Sequence, residues 1–122
     1  MTFSRVIPLF RIFSVAKAKE FYLDWLGFKI DWEHGSEQNP PVYLQVSRGD
    51  LVLHLTEHHG DCCPGAKCFV EMTGVEDLHR ELSAKNYPYL HPGIEVTDYK
   101  ARCVNVIDPF GNRISFNEYL KV

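Results

Sequence analysis

Residues 14–33 read SVAKAKEFYLDWLGFKIDWE, and the spacing of their apolar side chains changes partway through. Ala18, Phe21, Tyr22, Trp25 and Leu26 recur at intervals of three and four, which lays one stripe along a helix that begins at Val15. Ser14 offers a capping hydroxyl at its start, and Gly27 a left-handed residue at its end. Phe28 to Trp32 then resumes as a strand, and the polar run EHGSEQNPP (33–41) reads as a loop.

Upstream, RVIPLFRIF (5–13) is apolar with interspersed arginines and reads as a first strand, in which Pro8 lacks a backbone donor. Downstream, Tyr43–Ser47 and Leu51–Leu55 alternate on either side of a tight turn at Arg48–Asp50, which makes a hairpin. The order is therefore β-α-β-β-β. It restarts after Pro64 and Gly65. Lys67–Met72 reads as a strand and TGVE (73–76) as a capping box, followed by a helix with Val75, Leu78 and Leu82 on one face. That helix is expected to end at a left-handed Asn86. Strands at Tyr87–Leu90, Arg102–Asp108 and Arg113–Tyr119 follow, the last two separated by the turn residues DPFGN (108–112).

Two weakly similar units are thus offset by about sixty residues, with Gly27 matching Asn86 and Val15 matching Val75. Repeat one spans about residues 5–60 and repeat two about 66–120 of a single α+β domain, 1–122. Each unit exposes an apolar sheet face that must pack on the other or on a partner chain.

The composition is compatible with one buried core: 122 residues, 45% of them apolar and 13% aromatic. No apolar run approaches the length of a membrane span, and the start MTFSRVIPLF lacks the features of a secretion signal. The expectation is a soluble cytoplasmic protein, with Cys62, Cys63, Cys68 and Cys103 as free thiols. A formal charge of −3 with scattered Lys and Arg argues against nucleic acid as a partner and favours a neutral or cationic ligand.

KEFYLDWLGFKIDWE (19–33), SRGDLVLHLTEHHGD (47–61) and VIDPFGNRISF (106–116) resemble the vicinal oxygen chelate superfamily, most closely its bleomycin-resistance and glyoxalase-like branch. The resemblance runs from about residue 5 to residue 119 and implies two βαβββ repeats forming paired curved mixed sheets, completed by a homodimer. It leaves activity open, since the superfamily holds isomerases, lyases, dioxygenases and drug-sequestering proteins alike. Enzymatic members place metal ligands at positions matching Ile7, His54, Lys67 and Ser115, of which only His54 is a good ligand. The resemblance therefore implies no standard metal site, no cofactor and no catalytic residue.

What it implies instead is non-covalent sequestration of a bleomycin-like or other flat, cationic small molecule. Trp32, Tyr43, His54, Tyr99 and Arg102 are the expected lining: stacking from the aromatics, a hydrogen bond from His54, orientation by Arg102. His54 faces away from Leu51, Leu53 and Leu55, so it either meets a ligand or is an ordinary strand histidine. Glu95, Asp98 and Glu118 could attract a cationic tail.

Two competing readings remain. One is a glyoxalase-like lyase or dioxygenase with nonstandard metal ligands such as His54, Glu57 and Glu118. The other is a metal or redox sensor built on His58, His59, Cys62, Cys63 and Cys68, although the spacing of those residues matches no closed zinc motif. On the repeat pattern LVLHL (51–55) ends repeat one, and TEHHGDCCPG (56–65) is the linker to repeat two.

Overall fold

The computed structural model describes residues 1–121. The chain divides into two compact units, Met1–Pro64 and Gly65 onward. In the first, β1 (Leu9–Arg11), α1 (Val15–Lys19), a π-helical continuation of it (Glu20–Trp25), β2 (Lys29–His34), β3 (Tyr43–Arg48) and β4 (Leu51–Thr56) follow in order. The sheet order is β1-β4-β3-β2. Strand β1 lies parallel to β4, and the other pairs are antiparallel.

The second unit repeats this: β5 (Lys67–Glu71), α2 (Val75–Ala84), β6 (Glu95–Val96), β7 (Ala101–Ile107) and β8 (Arg113–Tyr119). Its sheet order is β5-β8-β7-β6, again with the first and last strands parallel. The α+β fold of two βαβββ repeats with four-stranded mixed sheets is therefore present.

Local chemistry explains most of the boundaries. Ser14 Oγ accepts from Lys17 N at 3.2 Å and caps α1, and Gly27 at φ 76° ends the helical run. In the last turns the ladder widens, and Leu26 N bonds Phe21 O at 2.9 Å. The stripe of Ala18, Phe21, Tyr22, Trp25 and Leu26 is buried as its spacing predicts. With Phe10, Ile12, Leu44, Val46, Leu53 and Leu55 it makes the core of this unit. Gly49, at φ 58°, begins the two-residue turn that sets Arg48 opposite Leu51.

In DPFGN, Asp108 Oδ1 accepts from Phe110 N at 2.9 Å and Asn112 N at 2.8 Å, and Gly111 adopts φ 91°. That turn joins β7 to β8, with Ile107 opposite Arg113.

Four local expectations are corrected. The first strand is only three residues long, because Pro8 cannot donate to the ladder and offers only its carbonyl, which accepts from His54 N at 3.0 Å. Tyr87–Leu90 forms no strand. Pro88 removes a donor from that run, Tyr87 N turns back to Lys85 O at 3.0 Å, and Glu95–Val96 takes the edge beside β7 instead. Asn86 is not left-handed, since α2 runs out through an extended Lys85 (φ −82°, ψ 138°). Lastly, TGVE is no capping box: the N-cap is Gly74, which has no side-chain capping bond.

The start of α2 is capped from β8. Glu118 Oε1 accepts from Gly74 N and Val75 N, each at 3.1 Å. These two bonds, Val75 first, hold the Glu118 carboxyl below its ordinary value near 4.5. A carboxyl with a lowered folded value contributes stability at neutral pH, and that contribution disappears as pH falls through the folded value. Glu118→Gln should therefore unfold at a lower temperature than the parent at about pH 7 and show a flatter loss of midpoint toward about pH 3. Parallel midpoint-against-pH curves for the two proteins would refute this.

Candidate ligand site

In the first unit the sheet face opposite the buried leucines is built by alternation. Leu44, Val46, Leu53 and Leu55 point into the core, so Tyr43, Gln45, Ser47, His54 and Thr56 point the other way. Unbroken alternation from Ile30 would put Trp32 on the core side. A bulge between Ile30 and Trp32 shifts the phase: Ile30 pairs with Val46, yet Trp32 pairs with Gln45 and His34 with Tyr43. Trp32 is thereby carried to the open face, and the extra residue, Asp31, reaches the same side.

The result is an aromatic cluster. Trp32 and Tyr43 are parallel within 5°, their ring centroids 5.9 Å apart, and His54 stands edge-on to both at 5.2 Å and 5.1 Å. His34 packs 5.2 Å from Trp32, and His58, from the linker, 6.0 Å from Tyr43. Trp32 keeps 38% of its surface exposed, enough to receive a flat ligand.

Hydrogen bonds tie the cluster to the bulge. Asp31 accepts from Gln45 Nε2 and Ser47 Oγ, both at 3.0 Å, and those bonds, Gln45 first, hold its carboxyl below the usual range. Gln45 Oε1 lies 2.9 Å from His54 Nε2, and Tyr43 Oη lies 2.6 Å from His54 Nδ1. Desolvation, then the Arg5 guanidinium, pushes the His54 imidazole below its ordinary value, which favours its neutral form. Desolvation, then the charge of Asp61, pushes the Tyr43 phenol up. His54 is thus a networked side chain on the open face, as its position in LVLHL predicts.

The second unit carries its own aromatic face. Phe69 and Tyr99 lie 6.0 Å apart, Tyr99 and Tyr119 6.4 Å, and each is about half exposed. Tyr99 Oη donates to Asn117 Oδ1 at 2.6 Å. Asn117 Nδ2 in turn donates to the Ser115 carbonyl and hydroxyl, both at 3.0 Å, and Cys103 Sγ lies 3.3 Å from Ser115 Oγ. Arg102 alternates with Cys103 and so lies on the helix side of β7, where Nε meets Glu76 Oε1 at 3.2 Å. There it lines a cleft of about 360 Å³ with Glu76, His79, Arg80, Ile94, Glu95 and Val96. The structure thus joins Trp32, Tyr43 and His54 in one cluster, sets Tyr99 in a second, and places Arg102 apart from Tyr99. Asp31, Gln45, Phe69 and Asn117 had no motif to announce them; only the bulge and the strand register reveal them.

Among the described residues, no three His, Cys, Asp or Glu side chains come together to hold a metal ion. The positions where enzymatic relatives place ligands do not fit one. Ile7 has no donor atom, Lys67 is exposed, and Ser115 is buried with its oxygens bonded to Cys103 and Asn117. The nonstandard set fares no better, because both His54 nitrogens are engaged, Glu57 Oε1 accepts from Val42 N at 2.9 Å, and Glu118 caps α2.

The linker is partly ordered: Thr56 Oγ1 donates to Asp61 Oδ2 at 2.8 Å and accepts from His58 N at 3.0 Å. All four cysteines are free, and desolvation raises the Cys62 and Cys68 thiols, opposite to what a nucleophilic thiolate needs. No helix among the described residues is long and apolar enough to cross a membrane.

Comparison with known proteins agrees with this architecture. A bleomycin resistance protein from Geobacillus stearothermophilus is 26% identical over 136 aligned positions, which cover 94% of this chain and 96% of that one. A glyoxalase-related enzyme from Clostridium phytofermentans has a similar fold, with a TM-score of 0.78 at 15% identity over 98% of each chain. So does a bleomycin-binding protein solved in complex with bleomycin, with a TM-score of 0.72 at 17% identity over 97% of this chain and 100% of that one. The family described as glyoxalase superfamily protein matches residues 1–121, and the chain belongs to that family.

Proposed function

We propose that the chain binds and sequesters a flat, cationic small molecule of the bleomycin kind and makes or breaks no bond in it. The observation that carries this reading is the stacked Trp32–Tyr43 pair with His54 edge-on, on an open sheet face whose ionisable groups are tied to one another. A partly exposed indole beside a phenol offers π-faces to a heteroaromatic ring. His54, the residue best suited to acid-base work, has its neutral form favoured by desolvation and is bonded at both nitrogens, an arrangement for holding shape rather than moving protons.

The net charge of −3 and the exposed carboxylates of Glu95 and Asp98 favour a cation at long range. The similarity to bleomycin resistance proteins supports the same ligand class. Fold alone does not decide between binder and enzyme, since a glyoxalase-related enzyme shares it. Within the second unit Tyr99 would stack on a ring as Trp32 does in the first, while Arg102, paired with Glu76 on the helix side of β7, would orient a ligand only by way of its exposed guanidinium. A cytoplasmic homodimer belongs to this reading, and the half-exposed Phe69, Tyr99 and Tyr119 supply apolar surface that association or ligand would cover.

Calorimetric titration with metal-free bleomycin tests the proposal. Saturable heat with one ligand per chain is expected. No heat at tens of micromolar protein, roughly the range of weak specific binding, together with unchanged tryptophan fluorescence, would overturn it.

A further inference from the structure

The direction of every hydrogen bond in the Trp32 cluster follows from one end. Asp31 is an ionised carboxylate and can only accept, so the Gln45 amide must turn its nitrogen toward Asp31 and its oxygen toward His54. His54 must then carry its proton on Nε2, which leaves Nδ1 as a bare lone pair. Tyr43, 2.6 Å away, has to donate its only proton to that lone pair. The phenolic oxygen is left with acceptor capacity alone.

In the second unit different residues reach the same end. The Ser115 carbonyl can only accept, so Asn117 turns its nitrogen there and its oxygen toward Tyr99. The Tyr99 proton is likewise committed inward. Two unrelated chains of hydrogen bonds, one rooted in a carboxylate and one in a backbone carbonyl, thus leave a partly exposed tyrosine whose oxygen accepts and cannot donate.

We propose that Tyr43 and Tyr99 are acceptor-only anchors that select ligands carrying N–H donors beside a flat ring, amides, amidines or protonated amines, with Asp31 and Asn117 as the positioning residues that set this polarity. The ligand class rests on the drug-binding reading above; the polarity rests on the hydrogen-bond geometry alone. An acceptor-bearing ligand group would meet a lone pair at either tyrosine unless the inward network first broke. Selection therefore works by penalty as well as by attraction.

The His54 tautomer gives a readout that needs no ligand. Long-range proton–nitrogen correlation spectra of the labelled protein, with His54 identified by its loss in His54→Gln, should show an Nε2-protonated neutral ring near neutral pH. In Asp31→Ala the Gln45 amide is free to turn over, and the Nδ1-protonated form should appear. Asp31→Asn still presents an acceptor oxygen and should retain the parent tautomer. An Nδ1-protonated or doubly protonated His54 in the parent, or an Asp31→Ala spectrum identical to it, would overturn the proposal.

Two neutral flat probes test selection without net charge. Benzamide should shift the Trp32 and Tyr43 resonances with an affinity about 3- to 10-fold above that of methyl benzoate, the span of one net hydrogen bond. Equal affinities would overturn it. Failure of bleomycin to bind would remove the sequestration reading and leave the tautomer result standing. An Nδ1-protonated His54 in a protein that does bind bleomycin would remove this inference alone.

Discussion

Bleomycin affinity should fall about 10- to 100-fold in Trp32→Ala, because stacking of a planar heterocycle on one aromatic side chain is worth roughly 1–3 kcal/mol. Trp32 is 38% exposed and makes its ring contacts with Tyr43, His54 and His34 on the open face, away from the buried leucines. Its removal should therefore leave the thermal midpoint within a few degrees of the parent, on the order of the effect of an ordinary surface change. Trp32→Phe keeps a π-face and should recover most of the affinity. Competition binding read by calorimetry separates these outcomes, and a loss smaller than about twofold for the alanine variant would remove Trp32 from the site.

The second large effect concerns stability. Trp25 is 2% exposed in the π-helical segment and packs 5.2 Å from Phe21, whose ring meets Tyr22 at 4.8 Å. Trp25→Ala removes the largest side chain of this core and leaves a cavity that its neighbours can fill only in part, at a cost of about 3–5 kcal/mol. For a domain of this size that corresponds to a fall of roughly 10–20 °C in the thermal midpoint, measurable by calorimetry or circular dichroism. A fall of less than about 3 °C would mean that the site collapses without a void. Trp25→Phe should lie between the two. The two tryptophans, seven residues apart in sequence, have opposite settings: Trp25 is buried in the core of the first unit, and Trp32 lies on the open face proposed to receive the ligand.

That contrast marks what could be read from residues in order. The stripe from Ala18 to Leu26 is periodic at 3.6, and only a helix buries such a stripe, so its role was legible without coordinates. The same holds for Ser14 and Gly27 at its ends, for the hairpin around Gly49 and for the DPFGN turn, where nearby residues satisfy one another. His54 could be assigned to the face opposite the leucines from strict alternation alone.

Features in which a distant residue or a missing donor competes with local preference were not legible. TGVE has the spacing of a capping box, yet Glu118, more than forty residues away, reaches the backbone first. Tyr87–Leu90 has strand-forming side chains, yet Pro88 interrupts its donors and Glu95–Val96 wins the sheet edge. Asn86 suits a left-handed cap, yet the chain leaves the helix already extended toward Tyr87 and Pro88. In each case local preference is worth a few tenths of a kcal/mol to about one, and a tertiary contact or a missing donor outweighs it.

The two βαβββ units, the buried helix stripe and the side of the strand on which His54 stands follow from residues in order, because periodicity and turn chemistry act over a few residues. Long-range packing settled how Trp32 comes to lie beside Tyr43 and His54, that Arg102 pairs with Glu76, and that Asp31 joins the cluster through Gln45. One bulge between Ile30 and Trp32 accounts for the first and the last of these. A single extra residue reverses which side of the sheet the rest of β2 faces, and nothing in the alternation of side chains along that strand reveals where the extra residue falls.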